Sequence, residues 1–139
     1  MEESRIREIE AACTAVTLRF FRGLDLRDHE LSAAMMAPDG IWERQGKLIE
    51  GRAAILEALS QRPESRATCH VITNILVEVV DADRARVLFY LTTYEGAVAG
   101  SETPVARLFG MRAGTDEMVR LPEGWRIKEK RSRAMLRGG

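Results

Sequence analysis

The sequence is short of several things, and each shortage closes off a class of protein. It holds 2 cysteines, Cys13 and Cys69, in 139 residues, too few for the disulfide framework that small secreted domains rely on. Both fall in segments that read as buried helix and strand, where a thiol serves as a small core residue. Histidines number 2, and Cys69 and His70 are adjacent, so a strand would point them to opposite sides. A metal site has little to draw on, and no cofactor is expected. Charge of one sign is missing too: 21 Lys and Arg balance 21 Asp and Glu. The basic footprint of a nucleic-acid binder is therefore absent. No apolar run approaches the length of a membrane span, and the N-terminus, MEESRIREIE, has no apolar signal region. The expectation is a cytoplasmic protein without a membrane or nucleic-acid partner. Neither a Gly-rich phosphate loop nor a Ser or Cys nucleophile motif occurs.

What is present suffices for one core: 45% of the residues are hydrophobic, and residues 1–139 read as a single domain. The strongest local signal spans residues 68–95, two runs of β-branched and aromatic residues separated by Asp81-Ala82-Asp83, the pattern of a hairpin. Pairing Val80 with Arg84 places Glu78 opposite Arg86, an ion pair that favours this register over a one-residue slip. Strict alternation then puts His70, Ile72, Asn74 and Leu76 on one face with Leu88, Tyr90, Thr92 and Tyr94, and leaves a nearly all-apolar face carrying Val71, Thr73, Ile75, Val77, Phe89 and Leu91. The mixed face carries His70, Asn74, Tyr90, Thr92 and Tyr94 as its polar groups, and two readings fit it: a wall of a small-molecule pocket, or an ordinary sheet face whose phenols and amide reach solvent.

Before the hairpin, apolar positions Ile6, Ile9, Cys13, Val16, Phe20 and Leu24 advance by three or four and predict an amphipathic helix ending near Gly23. Asp28 is a candidate N-cap for a second helix to Met36, which Pro38 stops. A short hairpin around Gly46 carries Trp42, and a third helix runs over residues 52–62 to Pro63. After Glu95 a loose connection over residues 96–104 leads to a strand over 105–112. A turn at 113–116 and a short strand over 117–121 follow, then a last strand from Trp125 to about Met135 whose Arg126, Lys128 and Lys130 should face solvent. Helices followed by antiparallel strands make an α+β domain, with the helices laid into the concave face of a curved sheet.

Certain segments carry a family resemblance: Asp39-Gly40-Ile41-Trp42, Gly51-Arg52-Ala53-Ala54-Ile55, Thr68-Cys69-His70-Val71-Ile72-Thr73-Asn74 and Gly124-Trp125-Arg126-Ile127. Each is weak alone, but in this order and over nearly the whole chain they resemble the SnoaL-like branch of the nuclear transport factor 2-like superfamily. The resemblance implies a cone-shaped curved antiparallel sheet of cystatin-like type with three N-terminal helices in its concave face, an enclosed pocket for a small apolar molecule, and a homodimer through the sheet. It does not imply one activity.

Within that superfamily, Leu24-Asp25-Leu26-Arg27-Asp28 and Thr68-Cys69-His70 are most similar to the matching segments of scytalone dehydratases. That likeness implies Asp25 as the carboxylate that orients, and His70 as the group that moves the proton; imidazole titrates near pH ~6.5 and suits both directions of transfer. Tyr90 would polarise a carbonyl, with Asn74, Trp42 and Phe20 completing the substrate contacts. A second strand histidine found in those enzymes is missing, since His29 lies in a helix and is expected to face solvent. No aspartate falls inside a predicted strand, which argues against a strand-borne acid. Three functions follow as alternatives: a cofactor-independent lyase or isomerase acting on an apolar carbonyl compound, a ligand-binding module without chemistry, and a small subunit of a ring-hydroxylating dioxygenase-like assembly.

Overall fold

A computed structural model describes residues 1–98, 100 and 102–139. Of the connection expected over residues 96–104, Ala99 and Ser101 lie outside the described residues. The order is α1 (Glu3–Leu26), α2 (His29–Ala34), β1 (Met36–Arg44), β2 (Lys47–Glu50), α3 (Arg52–Ser60), β3 (Arg66–Val79), β4 (Arg84–Ala97), β5 (Arg107–Leu121) and β6 (Gly124–Arg137). The strands form one six-stranded sheet in the order β2-β1-β6-β5-β4-β3, curved, with the helices on one side. The sheet is not purely antiparallel: β1 runs parallel to β6. The architecture is otherwise the α+β arrangement read from the sequence. Among the described residues no helix is long and apolar enough to cross a membrane.

The apolar stripe of α1 packs as its spacing dictates, with Ile9, Cys13, Val16, Phe20 and Leu24 all buried against the sheet. Ile55 and Leu59 do the same for α3, both fully buried, and each such side chain stabilises the fold by about 1.5–3 kcal/mol. Gly23 does not end α1. It is the contact where α2 crosses, since a Cβ there would lie 2.1 Å from Ser32 Oγ. The helix runs one turn further, to a left-handed cap at Arg27. Asp28 then caps α2 by accepting from the Leu31 N–H at 3.1 Å. That helix stops at Ala34 and not Met36, because Met36 already enters β1. Pro38 is tolerated within β1 because it falls in a break of register between Met36 and Ile41.

Irregularities in two strands overturn the strict alternation used on the sequence. Glu78 does pair with Arg86, but between Thr73 and Leu76 the register of β3 on β4 shifts, and Asn74 sits at φ 54°. Asparagine tolerates that left-handed region better than most residues. The extra residue inverts the phase of everything before it. His70 therefore pairs with Thr93 and Ile72 with Leu91, while Thr73 pairs with Tyr90. The second shift, between Glu117 and Met118 on β5, leaves Lys128 extra in β6. Lys128 is exposed, and Lys130 turns inward to 4% exposure. The expected solvent-facing row Arg126, Lys128, Lys130 is thus broken at its last member.

β5 is one continuous strand of 15 residues, so the turn expected at 113–116 does not exist. Gly114 is there for a close approach: a Cβ would lie 2.3 Å from the Phe89 ring, which lies across it. Asp116 is then a strand aspartate after all, and it is completely buried. Cys13 is buried as expected, but Cys69 is exposed, since it shares the outer face with its partner Tyr94.

Candidate active site

The end of α1 and the start of β3 are fastened together by cations and carbonyls. Arg27 donates to the carbonyls of Pro63 at 3.1 Å and Arg62 at 2.9 Å. Arg62 donates to the Leu24 carbonyl at 2.9 Å and to Thr68 Oγ1 at 3.1 Å. The last turn of α1 is so held beside the first residues of β3, and Asp25 on that turn meets His70 on that strand. Asp25 is a helix residue, not a residue of a following loop.

The Asp25 carboxylate takes three hydrogen bonds. Oδ1 accepts from Thr68 Oγ1 at 3.1 Å and stands 2.5 Å from His70 Nδ1, while Oδ2 accepts from the His70 backbone N–H at 2.9 Å. Burial pushes this carboxyl up, but the ring and backbone bonds from His70, its charge and the Thr68 hydroxyl outweigh that and hold it below the ordinary carboxylate value. An ionised Asp25 requires Nδ1 to carry the hydrogen, so in the neutral form of the ring Nε2 is the nitrogen with the lone pair. Among the described residues Nε2 has no hydrogen-bond partner. The ring is enclosed, its side chain 10% exposed, with the Phe21 ring centroid 5.5 Å away.

His70 lines a cavity of about 380 Å³ between helices and sheet, with Phe21, Leu24, Leu59, Phe89 and Leu91 as its apolar walls. That volume is in the range of small-molecule sites. Of the residues expected to bind substrate, Trp42 lines the cavity. Phe20 does not: it is fully buried behind Trp42, meeting it edge-on at 5.3 Å. Tyr90 and Asn74 lie on the other side of the sheet, around a separate hollow with Leu76 and Leu88, because the irregularity at Asn74 inverts the face of β3. They cannot act on a molecule beside His70. His29 is half-buried, not solvent-facing, and its Nδ1 is buried without a partner.

Several residues of the site escaped the sequence reading. Thr93 is buried and lines the cavity next to His70. Lys130 reaches the same space from β6, held by Asp116 at 3.0 and 3.2 Å, which also accepts from Thr17 at 2.8 Å. Its ammonium is ringed by Phe21, Phe20 and Phe89 at 4.2, 4.4 and 5.2 Å. Burial pushes the amine down, against the opposing pull of Asp116. Arg44 and Arg112 also line the cavity. The signal for Arg44 was its spacing: two residues from Trp42 on one strand, it had to share the tryptophan's face. Among the described residues no group of three His, Cys, Asp or Glu side chains is placed to hold a metal ion.

Comparisons with known proteins agree with this architecture. Residues 5–131 match the model of a SnoaL-like domain. A function unknown protein from Mycobacterium tuberculosis, solved as a single-residue variant, is 25% identical, with 94% of this chain and 77% of that one covered and a TM-score of 0.79. The hexachlorocyclohexane dehydrochlorinase LinA-type3 from Novosphingobium barchaimii LL02 superposes with a TM-score of 0.83 at 19% identity, covering 99% and 94% of the two chains. A scytalone dehydratase-like protein from Novosphingobium aromaticivorans DSM 12444 gives 0.81 at 18% identity, over 96% and 89%. No curated protein matches the sequence.

Proposed function

The chain belongs to the SnoaL-like family, and from that footing we propose that it is a cofactor-independent lyase or isomerase using Asp25 and His70 for general acid–base chemistry on a small carbonyl compound with an apolar body. One observation carries this reading: the His70 ring is bonded to Asp25 through Nδ1 at 2.5 Å while the rest of it borders a cavity with apolar walls at Phe21, Leu24, Phe89 and Leu91. Nε2 takes a proton from the carbon next to the carbonyl, and the fixed Asp25 carboxylate stabilises the imidazolium that forms. The same proton then returns to another carbon, giving isomerisation, or to a leaving oxygen, giving elimination. A positioned acid–base group of this kind contributes about 10²–10⁴-fold in rate. Two structural neighbours bear the names of eliminating enzymes, which is the class of reaction this pair would serve.

The test is deuterium exchange at the α-carbon, followed by NMR in D2O over a panel of β-hydroxy ketones and enones. Exchange or turnover should vanish in His70→Ala and fall by at least about 10²-fold in Asp25→Asn, with circular dichroism showing an intact fold. Undiminished exchange in a folded His70→Ala variant would remove the proposal.

We propose also that two copies pair through the outer sheet face. Val71, Leu76 and Tyr94 stand on it 39%, 59% and 39% exposed, a clustering of apolar groups on one face that marks association surfaces. Sedimentation analysis of the protein and of Leu76→Glu should give a dimer and a monomer; a parent monomer at all accessible concentrations rejects this.

A further inference from the structure

The cavity beside His70 holds more positive charge than its surroundings cancel. Three of its cations have carboxylate partners: Lys130 has Asp116, Arg66 has Glu95 at 3.0 Å, and Arg131 has Glu117 at 3.2 Å. Arg62 spends its donors on the Leu24 carbonyl and Thr68. Among the described residues Arg137 has no carboxylate partner either, but it is exposed to solvent. Arg112 and Arg44 are different. Arg112 donates only to Ser132, to its Oγ at 2.7 Å and its carbonyl at 3.1 Å. Among the described residues the Arg44 side chain has no hydrogen bond or ion pair; its guanidinium lies over the Trp42 ring at 5.1 Å, half-buried. Burial pushes that guanidinium down, and the nearby Arg66 charge adds to the effect. Glu43 is the one acid among the described residues that line the space.

The sheet brings the two half-buried cations without a carboxylate partner, Arg44 and Arg112, to one level. β6 lies between β1 and β5. On one side Trp42 pairs with Lys130, so Arg44, two residues on in a parallel strand, comes level with Ser132. On the other side Arg112 reaches that same Ser132. Both residues therefore stand level with Ser132 in the wall of the cavity, two residues along from Trp42 and Lys130. Keeping two unpaired cations in a half-buried space is unfavourable, and an arriving anion removes that cost. A guanidinium offers a planar fork that matches the two oxygens of a carboxylate.

We infer that the ligand of this cavity is an amphipathic acid: a compact apolar body that lies against Phe21, Phe89 and Leu91, with a carboxylate held by Arg44 and Arg112. The inference deepens the reading above and shares its cavity, but it does not need His70 to move a proton. It refines the small apolar molecule expected from the sequence by giving it one charged end.

Calorimetric titration with 2-naphthoate and the neutral 2-naphthamide tests it. At low ionic strength the acid should bind at least about tenfold more tightly than the amide, and the preference should shrink as salt is added. Arg44→Gln and Arg112→Gln should each reduce the preference by about threefold or more, and Arg44→Lys should retain part of it. His70→Ala should keep it whole, so that loss of the catalytic reading and loss of this one are separate results. Equal affinity for the two probes, no binding of either, or an unchanged preference in the double variant Arg44→Gln with Arg112→Gln overturns the inference. Near-UV circular dichroism and the salt dependence of the parent keep it decidable should a variant misfold.

Discussion

Removing either member of the Lys130–Asp116 pair should be among the most damaging single changes available in this core. Lys130 Nζ and Asp116 Oδ1 are 3.0 Å apart, with side chains 5% and 0% exposed. At an effective dielectric of about 20, 332/(εr) at that separation gives ~5 kcal/mol of attraction. Desolvating the two ions costs several kcal/mol each, so the intact pair contributes close to nothing net. Its members are not equally dispensable alone. Lys130→Met keeps the length of the side chain and its contacts with Phe20, Phe21 and Phe89, yet leaves a buried carboxylate with only the Thr17 hydroxyl. Asp116→Asn leaves the amine in an aromatic cage with no counter-charge. Each should lose about 3–5 kcal/mol, a large part of the 5–15 kcal/mol typical of a domain, and lower the melting temperature by roughly 10–20 °C. The double variant, Lys130→Met with Asp116→Asn, should be at least about 2 kcal/mol more stable than the sum of the two losses predicts. Urea unfolding followed by far-UV circular dichroism measures all four proteins. Single variants within about 1 kcal/mol of the parent, or strictly additive losses, would refute the assignment of Lys130 as a buried cation held by Asp116.

Other outcomes follow from the same geometry. The Asp25 carboxyl is held below its ordinary 3.8, so the unfolded chain binds the extra proton between the two values and stability rises with pH across that window. The loss caused by Asp25→Asn should thus be complete at pH 6 and shrink as the pH falls through 3.8 and below; a difference constant with pH would contradict the hydrogen bonds assigned to that carboxylate. Gly114→Ala sets a methyl 2.3 Å from the ring of Phe89, itself 3% exposed, and should cost about 1–3 kcal/mol by denaturant titration, with an unchanged midpoint arguing that the ring is free to move. Ellman's reagent should modify one thiol of the native protein quickly, the exposed Cys69. Cys13, buried and with its thiol pushed up to about 12, should react only on unfolding, and two fast thiols would place Cys13 wrongly.

Much of the fold was legible because periodicity survives tertiary packing where the chain is regular. The α1 stripe, the Glu78–Arg86 register and the cap at Asp28 all came from local chemistry, and all are where that chemistry puts them. Asp25 and His70 were found by likeness of two short segments, and the structure brings them to 2.5 Å. What failed was strict alternation. Asn74 and Lys128 each insert a residue into a strand, and a single insertion exchanges the two faces of the sheet for every position on one side of it. Gly114 and Asp116 read as a turn because glycine and aspartate usually make one; here the glycine yields space to Phe89 and the aspartate answers a lysine that sequence alone placed in solvent.

These misreadings concern the site itself, for a physical reason. A regular strand crossing a curved sheet would send His70 and Lys130 to whichever face alternation assigned, and the alternation counted back from the Glu78–Arg86 pair assigns His70 outward. The irregularity at Asn74 returns it to the cavity, opposite Thr93, and the one at Lys128 brings Lys130 under Phe21 and Phe89. Straightening either strand would therefore empty the site before it unfolded the protein. Deleting Asn74 should leave the hairpin paired while turning the imidazole away from Asp25. The stability conferred by Asp25 should then disappear together with any exchange activity. Retention of that activity in a folded deletion variant would show that the break at Asn74 does not set the direction of His70.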